Sequence, residues 1–442
     1  MELRQIFQSL IALHQAELPY DLHQRLQILP TNREGIITVS GVRRCGKSSL
    51  LKLVANAIVN QGIARERILM VGFDDERFSG MTIDQMDEVL QAYRDMFPQQ
   101  SLKEVYMFFD EIQLIEGWEL FAMRVYKNYC KHIYITGSTS QMLSEEMASA
   151  LRGWPIEVRE YPLSFAEYLE FRNAVPNPYT EEGVAQLKDA FRRYCLDGGF
   201  PQVALEKEQS VKTQLLQNYF NTMLFRDMIE HYSISTNSFV VRYFLKRVMA
   251  NLTKPTSINN IYNDLKSQGH KVSKDALYQW IDYACNVFLF HAVPRYTKSL
   301  AKESASQNKY YVCDHGLRNA VLLPQSDEEG KVLENIVFYD MLRTLSAEDR
   351  IFYYRGVGEC DFVVQRDNNI TDLVQVCWHL TEENENREIN GLIEASRETG
   401  CSTCTIVTFE QSQTIERNGL HISVIPVWRA LSKRGLTHPS VK

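Results

Sequence analysis

Residues 35–58 read GIITVSGVRRCGKSSLLKLVANAI, and this stretch decides the fold class of the first part of the chain. The β-branched residues at 36–39 predict a short strand. After Lys47, leucine, valine and isoleucine recur at helical spacing and predict a helix. The turn between them has the pattern Gly-x-x-x-x-Gly-Lys-Ser, beginning at Gly41. This order predicts an α/β fold in which backbone N–H groups of the turn face an anion at a helix N-terminus.

The side chains of this turn indicate that the anion is the phosphate chain of a nucleotide. Lys47 would place its charge on the β- and γ-phosphates of ATP, and the Ser48 hydroxyl would ligate Mg²⁺. Cys45 is expected to be a small filler. The predicted nucleotide-binding residues are Gly41, Val42, Arg43, Arg44, Cys45, Gly46, Lys47, Ser48, Ser49 and Asp110.

A second acidic site is needed for hydrolysis, and EVYMFFDEIQ at 104–113 supplies it. The apolar run 105–109 predicts a buried strand that ends in two carboxylates. Asp110 would hold the Mg²⁺ through water, and Glu111 would polarise the attacking water as general base. The catalytic residues predicted from this pairing are Lys47 and Glu111.

A third strand, CKHIYITGSTSQML, leads into a run of hydroxyl residues. One of these hydroxyls would contact the γ-phosphate or the attacking water. Ser138 is the first candidate and Thr139 the second. A further strand at 67–78 completes four strands that alternate with helices. This alternation predicts a parallel sheet covered on both faces, with the ligand at the carboxyl ends of the strands.

These stretches, in this order, resemble the AAA+ branch of P-loop ATPases. More specifically, the chain resembles a prokaryotic family that pairs an AAA-type ATPase with a C-terminal DUF4143 domain. The stretches that carry the resemblance are GVRRCGKSSLL, FFDEIQ, YITGSTSQML, YPLSFAEYLEF, GGFPQV, LFRDMIEHY, KYYVCDHGLRNAV, LENIVFYDML and ECDFVV. The resemblance implies an ATPase domain over residues 1–175 and a helical lid or connector over 176–236. It also implies that Arg43 and Arg44 lie beside the phosphates or at a neighbouring surface.

The chain departs from the family where an arginine is often found after the sensor helix. ALRGWPIEV at 150–158 has Trp154 at that place. Arg152 is the predicted catalytic arginine, with Arg159 as the alternative. If neither contacts a γ-phosphate, hydrolysis is expected to be slow, and the protein acts as a switch rather than a motor.

A winged helix is predicted for residues 237–305, because 257–286 reads as two capped helices around a turn. Residues 238–300 contain nine Lys or Arg against three Asp or Glu, whereas the whole chain is acidic. This asymmetry favours a surface that faces double-stranded DNA. The candidate DNA contacts are Lys271, Lys274, Tyr278 and Gln279. The alternative is a winged helix that serves only for packing.

Residues 306–442 are predicted to form a PD-(D/E)xK-like domain with the restriction-endonuclease fold, because a helix, three strands, a helix and a strand follow one another there. The metal-binding end of such a site would be Glu334, Asp361 and Gln375. Cys377 occupies the lysine position, and a neutral thiol cannot replace the lysine charge. The site is therefore expected to be degenerate and nuclease activity absent, with the domain kept for DNA binding or assembly.

Composition agrees with an intracellular globular protein. Lys and Arg number 48 and Asp and Glu 55, which gives a net charge of −7. Nine scattered cysteines form no disulfide framework and favour a reducing cytoplasm. No apolar run approaches the length of a membrane span.

The leading hypothesis is an AAA+ ATPase that uses Mg²⁺ and ATP as a switch and couples hydrolysis to DNA or a protein client, as a monomer or a homo-oligomer. An ATP-gated metal-dependent nuclease and a non-hydrolysing nucleotide-binding scaffold remain the alternatives.

Overall fold

In a computed structural model of the protein, the strand–turn–helix stretch lies in a parallel sheet. The structure describes residues 2–139, 155–299, 301, 303, 306–323 and 328–432. The chain divides into two units, Met1–Tyr161 with Asn286–Phe288, and Pro162–Cys285 with Leu289–Lys442. This division is coarser than the four-part division expected from the sequence, which stays a prediction.

The sheet of the first unit has the strand order β2-β3-β4-β1-β5, and every neighbouring pair is parallel. Its strands are β1 (Gly35–Ser40), β2 (Ile68–Gly72), β3 (Tyr106–Asp110), β4 (His132–Gly137) and β5 (Pro155–Arg159). Because β4 lies between β1 and β3, the carboxyl ends of all three strands meet at one edge of the sheet. Ligands bind at this edge in open parallel sheets.

Helices cover both faces of this sheet, as the alternation of strands and helices predicts. The described helices are α1 (Leu3–Glu17), α2 (Lys47–Asn60), α3 (Asp87–Met96) and α4 (Trp118–Asn128). Leu69, Val71 and Phe109 pack with residues of α1, α3 and α4. The alternate residues Met70 and Phe108 point to the opposite face and pack with residues of α2. The parallel sheet with two covered faces is thus confirmed.

The second unit begins with a helical segment and continues into three helices and a strand pair. The helices are α5 (Phe165–Phe171), α6 (Glu181–Asp197), α7 (Pro201–Leu205), α8 (Gln209–Thr222), α9 (Ser238–Ala250), α10 (Ile258–Ser267) and α11 (Lys274–Asn286). A π-helical segment, Met223–Glu230, continues α8. The strands β6 (Phe290–Val293) and β7 (Lys309–Val312) are antiparallel, and α12 (His315–Val321) follows them.

A mixed six-stranded sheet forms the rest of the second unit, in the order β12-β13-β11-β10-β9-β8. Its strands are β8 (Arg350–Arg355), β9 (Glu359–Arg366), β10 (Asn369–Val376), β11 (Cys404–Thr408), β12 (Gln413–Arg417) and β13 (Leu420–Pro426). The helices here are α13 (Glu329–Leu342), α14 (Glu385–Thr399) and α15 (Val427–Leu431). The predicted order of helix, three strands, helix and strand is present, whereas β12 and β13 were not predicted. The PD-(D/E)xK assignment itself stays a prediction.

Across the part of the chain that the structure describes, no helix combines the length and the apolar character needed to cross a bilayer.

Candidate functional site

The loop between β1 and α2 has a backbone that requires glycine. Gly46, just before α2, has φ of 111°, in the left-handed region that favours glycine. A Cβ atom at Gly41 would lie 2.2 Å from the carbonyl oxygen of Glu160, which follows β5. The end of β5 therefore lies against the loop and excludes any side chain at position 41.

The ammonium of Lys47 lies inside this loop, and the side chain is only 3% exposed. Its Nζ is 3.1 Å from the carbonyl oxygen of Gly41, 3.3 Å from that of Val42 and 3.4 Å from Oε1 of Glu111. Burial alone would lower the pKa of Lys47, but Glu111, Cys45 and Asp110 together outweigh it and the pKa is raised. The lysine is therefore charged, and its three protons face three acceptors.

Glu111 directly follows β3 and is held in place from several sides. Its backbone is left-handed, with φ of 51°, and its N–H donates to Oγ1 of Thr136 at 2.8 Å. Its carboxylate accepts from Nε2 of Gln113 at 2.6 Å and from the Ser138 hydroxyl. Burial would raise the pKa of this carboxyl, but Lys47 and Gln113 together lower it. The arrangement presents an ionised carboxylate beside the loop.

Asp110, the last residue of β3, lies next to the hydroxyls of two other elements. Thr136 on β4 donates to its Oδ1, and Ser48 on α2 forms a side-chain hydrogen bond with it. Burial raises the pKa of Asp110 despite these hydrogen bonds. A hydroxyl and a carboxylate at this spacing are hard oxygen ligands of the type that Mg²⁺ prefers. The side chains of Ser48 and Asp110 are therefore suitable ligands for one magnesium ion.

A buried ion pair between Arg25 and Glu160 lies beneath the loop, and sequence reasoning missed it. The two side chains are 4% and 2% exposed. Arg25 also donates from Nη1 to the carbonyl oxygen of Cys45 at 2.8 Å and from Nη2 to that of Tyr161 at 2.9 Å. The guanidinium thus joins the phosphate loop to the end of β5. No local motif indicates this contact, because its partners are far apart in the chain.

The remaining loop residues differ in their exposure. Val42 and Cys45 are buried, Arg43 is partly buried and Arg44 is exposed. The Cys45 thiol donates to the carbonyl oxygen of Glu160 at 3.6 Å, and burial raises its pKa to about 11. A neutral, buried thiol at this position agrees with the role of a small filler.

The charge of Arg43 acts on this site, because it contributes to the lowered pKa of Glu111 and opposes part of the rise in the pKa of Lys47. The hydroxyl that joins Asp110 and Glu111 is that of Thr136. The sequence favoured Ser138 first and Thr139 second. Ser138 contacts Glu111, and Thr139 is buried. Thr136 lies on β4, two residues before Ser138 in the same run of hydroxyl residues.

Of the two arginine candidates, Arg159 is the one within the described part of the chain. Arg152, with Trp154, lies outside the described residues. Arg159, the alternative, lies with its guanidinium carbon 4.7 Å from the ring centroid of Phe288.

The four candidate DNA contacts share an exposed surface at and before α11. Lys271, Lys274, Tyr278 and Gln279 are all exposed, and Nζ of Lys274 lies 5.8 Å from the ring centroid of Tyr278. The opposite face of α11 is buried through Leu277, Trp280, Ile281 and Ala284. Two acidic residues, Asp275 and Asp282, are also exposed on this helix.

The structure brings Glu334, Asp361 and Gln375 together at a cavity of about 990 Å³ in the second unit. The N–H of Asp361 donates to Oε1 of Gln375 at 3.0 Å. Cys377 also lines the cavity. Sequence reasoning missed Lys309 on β7, whose Nζ lies 3.0 Å from Oδ1 of Asp361 and 3.3 Å from Oε1 of Glu334.

Family models match two parts of the chain. The model described as "AAA domain" matches residues 33–169. The model described as "Domain of unknown function (DUF8612)" matches residues 188–328. The first match agrees with the parallel sheet and the phosphate loop, and together they show an AAA domain with a P-loop in this part of the chain. The second match corrects the expected DUF4143 domain, which the resemblance had implied.

Relatives extend over most of the chain. An uncharacterized protein of Methanocaldococcus jannaschii, MJ1544, is 29% identical over 404 residues, which cover 89% of this chain and 87% of that one. An uncharacterized protein of Haemophilus influenzae is 30% identical over 371 residues, which cover 82% of this chain and 86% of that one. The chain belongs to the same family as the Haemophilus influenzae protein.

Solved structures show weaker likeness. The Aeropyrum pernix ORC1 protein in complex with DNA has 14% identity and a TM-score of 0.30, over 73% of this chain and 92% of that one. AMPPCP-bound DnaA from Aquifex aeolicus has 16% identity and a TM-score of 0.24, over 64% and 87%. The match to C. elegans PCH-2 covers 46% of that chain, with a TM-score of 0.23. At such TM-scores the likeness carries no argument about function.

Proposed function

We propose that this chain binds ATP with Mg²⁺ at the loop between β1 and α2 and hydrolyses the γ-phosphate bond. The observation that carries the proposal is the position of Glu111, an ionised carboxylate whose Oε1 lies 3.4 Å from the ammonium of the loop lysine. A phosphate-binding cation and a base for water are thereby adjacent. Such positioning supplies most of the catalysis in phosphoryl transfer.

Each residue of the site has a separate role in this proposal. The loop N–H groups and Lys47 bind the phosphates, and Ser48 and Asp110 hold the magnesium ion. When bound, the ion neutralises charge on the phosphate oxygens. Glu111 orients and deprotonates the attacking water, and Gln113 keeps its carboxylate in place. Because the sequence has Trp154 where the ATPases it resembles often have an arginine, we infer slow turnover, as in a nucleotide-dependent switch.

Two variants separate ATP binding from hydrolysis. In Lys47→Ala, calorimetry is expected to show at least a tenfold loss of ATP affinity, because the buried charge that meets the phosphates is gone. In Glu111→Gln, ATP affinity should stay within a few-fold of wild type while turnover falls by about 10²-fold or more, the usual contribution of a general base.

Glu116→Gln is the matched control for the second variant, because Glu116 is exposed in the same segment. It should leave both quantities unchanged. If Glu111→Gln turns over ATP at the wild-type rate, Glu111 is not the base. If purified wild-type protein binds ATP without measurable turnover, the non-hydrolysing scaffold is the correct function.

We further propose that the ATP switch controls binding of double-stranded DNA by a winged helix. Support comes from the order of three helices, α9 to α11, followed by the antiparallel pair β6–β7. The exposed lysines beside an exposed Tyr278 add a cationic and aromatic surface of the kind that contacts nucleic acid.

The salt dependence of DNA binding tests this second proposal. Lys271→Ala/Lys274→Ala should weaken binding and reduce the slope of log K against log salt by roughly 1–2, because each phosphate contact contributes about 0.9. Lys207→Ala, an exposed lysine elsewhere on the unit, is the control and should leave the slope unchanged. Wild-type binding that is absent or independent of salt would favour a protein client instead.

A further inference from the structure

Lys309 lies at the centre of the carboxylate cluster that borders the cavity of the second unit. Its side chain is 0% exposed. Its Nζ lies 2.7 Å from Oε1 of Glu359, 3.0 Å from Oδ1 of Asp361 and 3.3 Å from Oε1 of Glu334. Three carboxylates therefore share the three protons of one buried ammonium, and β7 is joined to α13 and β9 through it.

The other polar atoms of the cluster are also engaged. Val376 N–H donates to Oδ2 of Asp361 at 3.0 Å, and the Tyr311 hydroxyl donates to Oε1 of Glu334 at 2.7 Å. The amide of Gln375 is used at both ends, because its Oε1 accepts from the backbone N–H of Asp361 and its Nε2 donates to Oε2 of Glu388 at 2.6 Å. Gln375 is therefore oriented as a hydrogen-bonding bridge and not as a metal ligand.

These contacts do not fit the divalent ion that a PD-(D/E)xK-like domain implies. Among the described residues, no group of three His, Cys, Asp or Glu side chains is arranged to hold a metal. The ammonium of Lys309 already lies among these carboxylates, with Nζ 2.7–3.3 Å from an oxygen of each of the three. Its positive charge would repel a second cation at the same carboxylates.

We propose that Lys309 is the resident cation of this carboxylate cluster: its ammonium takes the place of a divalent metal ion, pairs with Glu334, Glu359 and Asp361, and cross-links β7 to the C-terminal sheet. The cavity therefore binds neither Mg²⁺ nor Mn²⁺, and the chain has no metal-dependent nuclease centre there. The role of Lys309 is structural and is independent of the ATP site in the first unit.

Removing the ammonium should turn the cavity into a metal site. In nucleotide-free full-length protein, Lys309→Met is expected to bind Mn²⁺ at least tenfold more tightly than wild type, measured as loss of the free Mn²⁺ signal in electron paramagnetic resonance. Mn²⁺ should also raise the melting temperature of the variant and leave that of wild type unchanged. Adding Asp361→Asn to the variant should abolish both gains. A folded Lys309→Met protein that gains no Mn²⁺ binding overturns the proposal.

Wild-type protein decides the question if Lys309→Met does not fold. The proposal requires that wild type and Asp361→Asn bind Mn²⁺ equally and that neither cuts plasmid DNA with Mg²⁺ or Mn²⁺. Mn²⁺ binding by wild type that is lost in Asp361→Asn would overturn it. So would cutting of plasmid by wild type that Asp361→Asn abolishes. Both measurements omit ATP, so their outcome is separate from that of the ATPase tests.

Discussion

Replacing Arg25 by methionine tests whether the buried ion pair holds the phosphate loop. Methionine keeps an apolar stem of similar length but removes the guanidinium that Glu160 faces. The Glu160 side chain is 2% exposed and would remain as a buried carboxylate without its cation. The carbonyl oxygens of Cys45 and Tyr161 would also lose their donors, at 2.8 and 2.9 Å.

The expected cost follows from these contacts. Removing one partner of a buried ion pair costs about 3–5 kcal/mol. Lost hydrogen bonds to the two carbonyls add to this, and structural relaxation reduces it. We therefore expect Arg25→Met to lower the free energy of opening around the loop by about 4 kcal/mol, which corresponds to about a 10³-fold faster amide exchange.

Amide hydrogen exchange followed by mass spectrometry measures this quantity for β1 and α2 separately from the second unit. Arg4→Met is the matched control. Arg4 pairs with Glu88 at 2.8 Å, but these side chains are 41% and 35% exposed. An exposed pair contributes only about 0–1 kcal/mol, so this variant should change exchange at β1 by less than about tenfold.

A double variant distinguishes lost charge pairing from lost packing. In Arg25→Met/Glu160→Met, neither member of the pair is left as an unpaired buried charge, so much of the exchange protection should return. Calorimetry should show that ATP affinity falls in Arg25→Met, because the loop carbonyl of Cys45 is no longer held. If Arg25→Met and Arg4→Met change exchange at β1 to the same extent, the ion pair does not hold the loop.

Three further predictions rest on single contacts. Gly41→Ala should weaken ATP binding at least tenfold in calorimetry, because its Cβ would lie 2.2 Å from a carbonyl oxygen. At Gly62 no atom lies within 4 Å of the added carbon, so Gly62→Ala should leave ATP binding unchanged. Thr136→Val keeps the side-chain shape but removes the hydroxyl between Asp110 and the N–H of Glu111. ATP turnover should therefore fall by about 5–100-fold, the equivalent of about 1–3 kcal/mol. Turnover at the wild-type rate would contradict this prediction. Burial lowers the pKa of His315 below 6.5, so as the pH falls the unfolded state binds a proton at this histidine before the folded state does. Thermal denaturation should therefore show that wild type loses stability relative to His315→Gln from pH 7.5 to 5.5. Parallel pH curves for the two proteins would contradict this prediction.

The elements around the phosphate loop were predictable because their signals are local. Hydrophobic periodicity changes from strand to helix within residues 35–58, and the glycines between require a special backbone. Asp110 is the last residue of the five-residue strand β3 and Glu111 follows it, so the parallel sheet alone brings the acidic pair to the loop.

The contacts that complete the two sites were not predictable in the same way. Arg25 and Glu160 lie in segments without a motif, and only the pairing of β5 with β1 brings the carboxylate beneath the loop. The same limit applies to Lys309. In a PD-(D/E)xK-like pattern the lysine would stand two residues after Gln375, at the position that Cys377 occupies. In the structure, the ammonium comes instead from Lys309 on β7, a strand of another sheet.

The choice between Thr136 and Ser138 was ambiguous for another reason. Five consecutive residues at the end of β4 include four with a hydroxyl group, and each is compatible with a strand tip. Which hydroxyl meets Asp110 depends on the register between β3 and β4. That register is set by packing across the whole sheet and not by the run itself.

The position of β1 between β4 and β5 has a consequence for how the protein is made. β1 is complete at Ser40, but its two neighbours begin at His132 and Pro155. At a synthesis rate of roughly 5–20 residues per second, this apolar strand leaves the ribosome many seconds before both of its edges can be covered. The nascent chain therefore carries an unpaired β-branched segment for most of the time that the first unit is being synthesised. Newly made protein should depend on chaperones that shield such segments, and fragments that stop before Pro155 should aggregate.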